Sequence, residues 1–156
     1  LPDSARMAAA EVEQIEEIIR PTGFFRQKAK NIKAMSQILI ERHQGRVPPD
    51  LNALVQLPGI GRKTANVVLG ECFHIPGIVV DTHVRRIAGR LGLTPHDDPD
   101  KIERDLMKLI PEQKWTLFSH QLIHLGRRIC LARRPRCEGC FLPAWCPWGQ
   151  KVLSES

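Results

Sequence analysis

Residues 57–68 read LPGIGRKTANVV. Gly59 and Gly61 flank an isoleucine, and Arg62 and Lys63 follow at once. Leu51, Leu54 and Val55 precede the turn at helical spacing, with Asp50 placed to cap them. Ala65, Val67, Val68 and Leu69 follow it. The pattern is helix, tight turn, helix. By itself a Gly-x-Gly between two helices fits an ordinary corner. Glycine also permits unusual φ values and lets a backbone approach a partner closely. The amides that open the second helix point outward, and the helix dipole there favours an anion. A phosphate is the natural occupant. Lys63 adds chemistry to the turn. A cation in the first helical turn is disfavoured by the dipole, and Arg62 beside it acts in the same direction. Both favour the neutral amine that Schiff-base formation needs.

Outward from the turn the periodicity stays helical. Towards the N-terminus, Ala29, Ile32, Met35 and Leu39 mark a helix ending near Gly45. Ile15, Ile18 and Ile19 mark an earlier one, ending before Pro21. Towards the C-terminus, HIPG at 74–77 breaks the pattern, and IVV at 78–80 reads as a buried connection, because a lone apolar triplet has no partner strand. Asp81 then caps a helix carrying Val84, Ile87, Ala88 and Leu91. As the opener of the next helix, Asp81 is placed to share a cleft with Lys63. Asp98-Pro99 supplies cap and first-turn proline for a helix with Ile102, Leu106 and Leu109. Trp115, Phe118, Leu122 and Leu125 step along a last long helix. The expectation is an all-α chain, divided into residues 1–79 and 80–156, with a cysteine-rich C-terminus.

Composition narrows the partners. The chain of 156 residues carries 23 Lys and Arg against 17 Asp and Glu, a formal charge of +6. The distribution says more. Seven basic residues and one acid lie between Arg20 and Arg46, and five arginines with no acid lie between Arg127 and Arg136. Local basic segments suit a polyanion, although solvated helix faces give the same count. No apolar run approaches the ~18 residues of a membrane span. The start has no basic region followed by an apolar stretch, as a secretory signal would. It begins with Leu1 and not Met, as part of a longer protein would.

Four of the five cysteines, Cys130, Cys137, Cys140 and Cys146, are spaced C-x6-C-x2-C-x5-C. Without a secretory signal, disulfides are the weaker reading. Structural zinc usually pairs two short knuckles, and only one is present. Four thiolates from uneven loops fit the wider circumference of an iron–sulfur cube better. Cys72 follows an apolar run and reads as a small buried residue. Residues 131–136, LARRPR, lie between the first two of the four cysteines. A loop anchored by metal ligands presents Arg133, Arg134 and Arg136 to phosphates in a fixed array.

The run LPGIGRKTANVVLGECFHIPGIVVDTH, followed by these four cysteines, resembles endonuclease III, a family of helix-hairpin-helix DNA glycosylases. The resemblance extends from about Gly23 to Cys146. It implies the fold of that family, a helical domain plus a C-terminal iron–sulfur domain. It also implies that Lys63 attacks C1′ of a damaged nucleotide, that Asp81 assists, and that the four cysteines hold a [4Fe-4S] cluster. The matching substrate is double-stranded DNA carrying oxidised pyrimidines or abasic sites. The setting implied is a monomer in the bacterial cytoplasm at the nucleoid. TGFFRQKAKNI at 22–32 matches a loop that inserts a side chain into the duplex, so Phe24 or Phe25 is the expected wedge, beside Arg26. Leu57, Gly59, Gly61 and Arg62 are the expected hairpin contacts. Adenine-mismatch glycosylases share fold and cluster but lack the lysine, so Lys63 argues for the lyase branch. The alternatives are a monofunctional glycosylase of this fold or a DNA-binding iron–sulfur module without catalysis. The family also carries helices before the point matching Leu1, one with a glutamine that fills the hole left by the extruded base.

Overall fold

The computed structural model describes residues 3–155; Leu1, Pro2 and Ser156, the ends of the two expected domain ranges, lie outside the described residues. Among the described residues every regular element is helical: α1 (Ser4–Ala9), α2 (Val12–Ile19), α3 (Phe25–His43), α4 (Leu51–Val55), α5 (Arg62–Phe73), α6 (Thr82–Arg90), α7 (Pro99–Leu109), α8 (Trp115–Arg128) and α9 (Pro147–Ser154). Short 3-10 turns occupy Glu112–Lys114 and Pro143–Trp145. No helix among the described residues is long and apolar enough to cross a membrane.

The helix starts follow from their caps. Asp50 accepts a hydrogen bond from the Ala53 amide at 2.7 Å, and Asp98 accepts one from the Lys101 amide at 3.0 Å, with Pro99 as first helical residue. Each such cap stabilises its helix by about 1 kcal/mol. α3 ends where Gln44 and Gly45 adopt positive φ, 54° and 75°. The Gly45 amide then bonds back to the Leu39 carbonyl at 2.8 Å, in the manner of a left-handed helix stop.

Two compact units divide between Leu69 and Gly70. In the first, α1 and α2 pack on α3, burying Ala10, Ile15 and Ala29 together. Ile18 is 64% exposed. The stripe expected through Ile15, Ile18 and Ile19 is narrower than its spacing suggests, because Ile15 and Ile19 already turn the helix inward.

The second unit has α6 packed on α8, with α7 and α9 also against α6. Ile78, Val84, Ile102 and Leu106 are fully buried there. Val80, Ile87, Leu122 and Leu125 complete the core. Contacts group Gly70–Ser156 together, a division ten residues before the expected 79/80 boundary, and Ile78 and Val80 lie in this second core. The connection is extended but pairs with no strand among the described residues. Its Val79 amide donates to Ser119 Oγ at 2.9 Å, and that hydroxyl donates to the Trp115 carbonyl at 3.0 Å. Ser119 is 1% exposed, so this bond satisfies a backbone group that would otherwise be stranded in the core.

Candidate active site and cysteine centre

The hairpin is built in the first unit. α4 ends at Val55, and the Ile60 amide closes the turn on the Leu57 carbonyl at 3.1 Å. Gly59 has φ +80°, and a Cβ added there would lie 2.6 Å from Asn31 Nδ2. Two independent demands therefore fix glycine at this position: a left-handed backbone and the close approach of α3. Asn31 is itself held by Gln27, whose Nε2 donates to its Oδ1 at 3.0 Å. Gly61 behaves differently from the expectation. Its φ is not positive, and a Cβ there would meet nothing within 4 Å. Its carbonyl accepts the first helical bond, from Ala65 at 3.0 Å. The space beside Gly61 is open outward, which suits close approach by another molecule. Leu57 is only 4% exposed. Its side chain is a buried anchor of the hairpin, and its carbonyl closes the turn.

Arg62 and Lys63 open α5 and are both exposed. Lys63 is thus carried on a helix start, three residues past a turn whose geometry is fixed from behind. Phe24 and Phe25 part company. Phe24 has a left-handed backbone, φ 57° and ψ 33°, and is 90% exposed. Phe25 begins α3, is half-buried, and has the Arg26 guanidinium 5.6 Å from its ring centre. A large aromatic standing free on a strained residue is unusual enough to ask for a function. Phe24, not Phe25, is the free one.

In the second unit Asp81 caps α6 as expected. Its Oδ1 accepts from the amides of His83 at 2.8 Å and Val84 at 2.9 Å. The carboxylate is half-buried and is oriented by backbone donors, in a segment anchored two residues earlier by the Val79–Ser119 bond.

Cys130, Cys137, Cys140 and Cys146 line one cavity, together with Ile129, Arg136 and Trp148. Burial pushes the Cys137 thiol up, and charge on Cys130, Cys146 and Cys140 pushes it the same way, against an opposing pull from Arg90. The cavity thus gathers four soft sulfur donors. Three of the four sulfurs accept hydrogen bonds. Arg90 Nη1 donates to Cys130 Sγ at 3.1 Å, the Leu142 amide to Cys140 Sγ at 3.4 Å, and the Gly149 amide to Cys146 Sγ at 3.3 Å. Yet among the described residues no three Cys, His, Asp or Glu side chains gather as a single metal ion requires. Cys72 is exposed, contrary to expectation: it lies on the outer face of α5.

Arg133, Arg134 and Arg136 are all exposed on the intervening loop. The Arg136 amide bonds to the Ile129 carbonyl at 3.0 Å, which closes the loop at its base. The sequence reading missed Arg86 and Arg90. Arg86 Nη2 reaches the carbonyls of Gly126 at 3.1 Å and Cys130 at 2.8 Å. Gly126 makes room for this: a Cβ there would come within 2.8 Å of His83 and 3.0 Å of Arg86 Nη2. Two arginines one helical turn apart were a visible signal, but one that reads as a solvated face.

Residues 1–112 match the family of HhH-GPD superfamily base excision DNA repair proteins. The chain is 50% identical over 150 residues to endonuclease III of Synechocystis sp., covering 96% of this chain and 68% of the relative. It is 44% identical over 144 residues to the Bacillus subtilis endonuclease III, covering 92% of this chain and 66% of that one. It thus spans about two thirds of the length of these curated relatives. A trapped endonuclease III–DNA covalent intermediate superposes with TM-score 0.93 at 41% identity, over 98% of this chain and 72% of that one. A thermostable thymine-DNA glycosylase shares the fold, with TM-score 0.88 at 24% identity over 97% and 71% of the two chains. Hairpin, lysine, capping aspartate and cysteine set thus occur together in a chain that belongs to the endonuclease III family of helix-hairpin-helix base-excision DNA repair proteins.

Proposed function

We propose that this protein is a bifunctional DNA glycosylase and abasic-site lyase of base-excision repair, acting on oxidised pyrimidines in double-stranded DNA. One observation carries the reading. Lys63 is exposed at the start of α5, directly behind the fixed Gly59 turn, in a chain 41% identical to an endonuclease III trapped as a covalent DNA intermediate. The turn holds a phosphate on its amides, and Lys63 is delivered to the neighbouring sugar. Anchoring and nucleophile then share one rigid element, which is what positional catalysis requires.

The Lys63 amine attacks C1′, and the damaged base leaves with the bonding electrons and takes up a proton. The sugar ring opens as the imine forms. The imine acidifies the C2′ proton, whose loss places a double bond between C2′ and C3′ and expels the 3′ phosphate. Water then releases Lys63. The Asp81 carboxylate stabilises the positive charge that develops on the sugar. Phe24 is the wedge: an aromatic ring can replace the stacking lost when a nucleotide is extruded. Arg26, Arg62, Arg133, Arg134 and Arg136 contact phosphates.

Cys130, Cys137, Cys140 and Cys146 would hold a [4Fe-4S] cluster. When bound, the cluster ties four separate loop positions into one unit and thereby shapes the arginine loop. The proposed setting is the bacterial cytoplasm, where the protein works as a monomer on the chromosome.

Borohydride trapping on abasic DNA tests the central step. Lys63→Gln abolishes trapping and strand cleavage while abasic-DNA affinity stays within about two-fold, since the phosphate contacts are kept. Asp81→Asn slows base release by a large factor and spares some cleavage at preformed abasic sites. Full trapping by Lys63→Gln would assign the nucleophile elsewhere. No trapping by the unaltered protein would favour a DNA-binding module without catalysis.

A further inference from the structure

The cysteine cavity rests on a cation that lies outside the cysteine motif. Arg90, the last residue of α6, is half-buried. Its Nη1 donates to Cys130 Sγ at 3.1 Å and to the Leu131 carbonyl at 2.8 Å. Its Nη2 donates to the Ala132 carbonyl at 2.8 Å. The guanidinium carbon lies 5.0 Å from the ring centre of Trp148, in the first turn of α9, the helix that Cys146 caps. The Cys146 thiol in turn lies 3.5 Å from the Arg90 carbonyl. A single planar group therefore touches the first cysteine, the two carbonyls that open the arginine loop, and the aromatic two residues after the fourth cysteine. One turn earlier, Arg86 Nε and Nη2 hold the Cys130 carbonyl at 3.3 Å and 2.8 Å.

The residue type matters. The flat guanidinium fork reaches two adjacent carbonyls and a sulfur while stacking on an indole; a lysine ammonium is a point charge that does neither. Such partners orient ligands and raise the stability of a metal site.

We propose that Arg90 is a positioning residue that couples the cysteine site to the DNA-contact loop. It holds the Cys130 sulfur at its ligating position and fixes the turn from which Arg133 and Arg134 project. The ligand half of this inference rests on the cluster reading; the loop half does not.

The test compares the unaltered protein with Arg90→Met and Arg90→Lys, purified without oxygen. Three quantities are read: iron and inorganic sulfide per chain, the rate at which iron–thiolate absorption is lost to a chelator, and tryptic cleavage after Arg133. Cleavage is measured on cluster-bearing protein and on reduced, iron-free protein. Arg90→Met loses the cluster about 10- to 100-fold faster, the usual cost of removing a ligand's supporting partner. It is cut after Arg133 about tenfold faster, with or without iron, because the loop loses its charged hydrogen bonds. Arg90→Lys partly restores cluster retention and leaves the loop as open as Arg90→Met does. Unchanged loop cleavage in iron-free Arg90→Met overturns the proposal, and so does full restoration of both properties by lysine. If circular dichroism shows Arg90→Met unfolded, Arg90→Lys decides: raised cleavage supports the proposal and unaltered cleavage overturns it. If the unaltered protein takes up zinc in place of iron and sulfide, the cluster reading fails, and cleavage of the iron-free loop still judges Arg90.

Discussion

Replacing Gly59 and Gly61 one at a time by alanine separates two uses of the same residue type. At Gly59 the backbone has φ +80°, and the new Cβ would fall 2.6 Å from Asn31 Nδ2 and 3.1 Å from Asn31 Cβ and Cγ. Holding alanine in the left-handed region costs about 1–2 kcal/mol. Asn31 must also withdraw, which breaks the Gln27–Asn31 bond at about 0.5–1.5 kcal/mol. The lower entropy of the unfolded alanine chain returns about 0.4–1 kcal/mol. The net loss is about 0.5–3 kcal/mol, read as a shift in urea midpoint at constant slope. At Gly61 neither steric demand exists. Alanine caps a helix less well than glycine, and the unfolded-state gain offsets this, so stability changes by less than about 1 kcal/mol. DNA affinity for an abasic duplex nonetheless falls about tenfold, because the new methyl group occupies the open space beside the phosphate-binding amides. The double variant Gly59→Ala with Asn31→Ala removes the 2.6 Å contact but keeps the 3.1 Å approach to the Cβ at position 31 and the backbone strain. A Gly61→Ala protein that binds DNA normally would refute the assignment of that space to a phosphate. A Gly59→Ala protein of unchanged stability would refute the steric account.

Arg133→Ala weakens binding to all DNA sequences alike and lowers the slope of log K against log salt by about 0.9, the signature of one lost phosphate contact; an effect confined to one lesion would make it a base reader. Iron and sulfide analysis of anaerobically purified protein gives a four-iron, four-sulfide centre, as expected for four cysteine ligands, whereas one zinc per chain would remove the cluster from the account. Hydrogen bonds from Thr94 and His96 hold the Asp105 carboxyl below its ordinary value of 3.8, so its stabilising effect is present above that value and is lost as pH falls through the lowered one. The stability gap between the unaltered protein and Asp105→Asn therefore narrows on acidification below pH 3.8; a gap that widens there would contradict the sign.

Much of this could be read from the chain because it was local. Asp50, Asp81 and Asp98 announce helix starts within three residues of the amides they cap, and the hairpin, Lys63 and the cysteine spacing are contiguous signatures. What escaped depends on distance or on backbone angle. Arg90 meets Cys130 across forty positions, and no periodicity encodes that meeting. Phe24 and Phe25 are identical in type and adjacent, so only the left-handed φ at Phe24 tells them apart. α1 has no buried residue and so no apolar stripe to betray it. α9 is capped through the sulfur of Cys146, an unusual cap inside a stretch whose composition points to a metal loop.

One hydroxyl stands in for a missing sheet. The Val79 amide, in an extended segment with no neighbouring strand among the described residues, is tied to the buried Ser119 of the second unit. Its proton can reach solvent only when α8 parts from the connection that leads into Asp81. Hydrogen exchange at this position therefore reports the parting of α8 from the connection, not the fluctuation of an exposed loop. Preparations that lose exchange protection at Val79 have loosened the support of Asp81, even where helical content is unaltered.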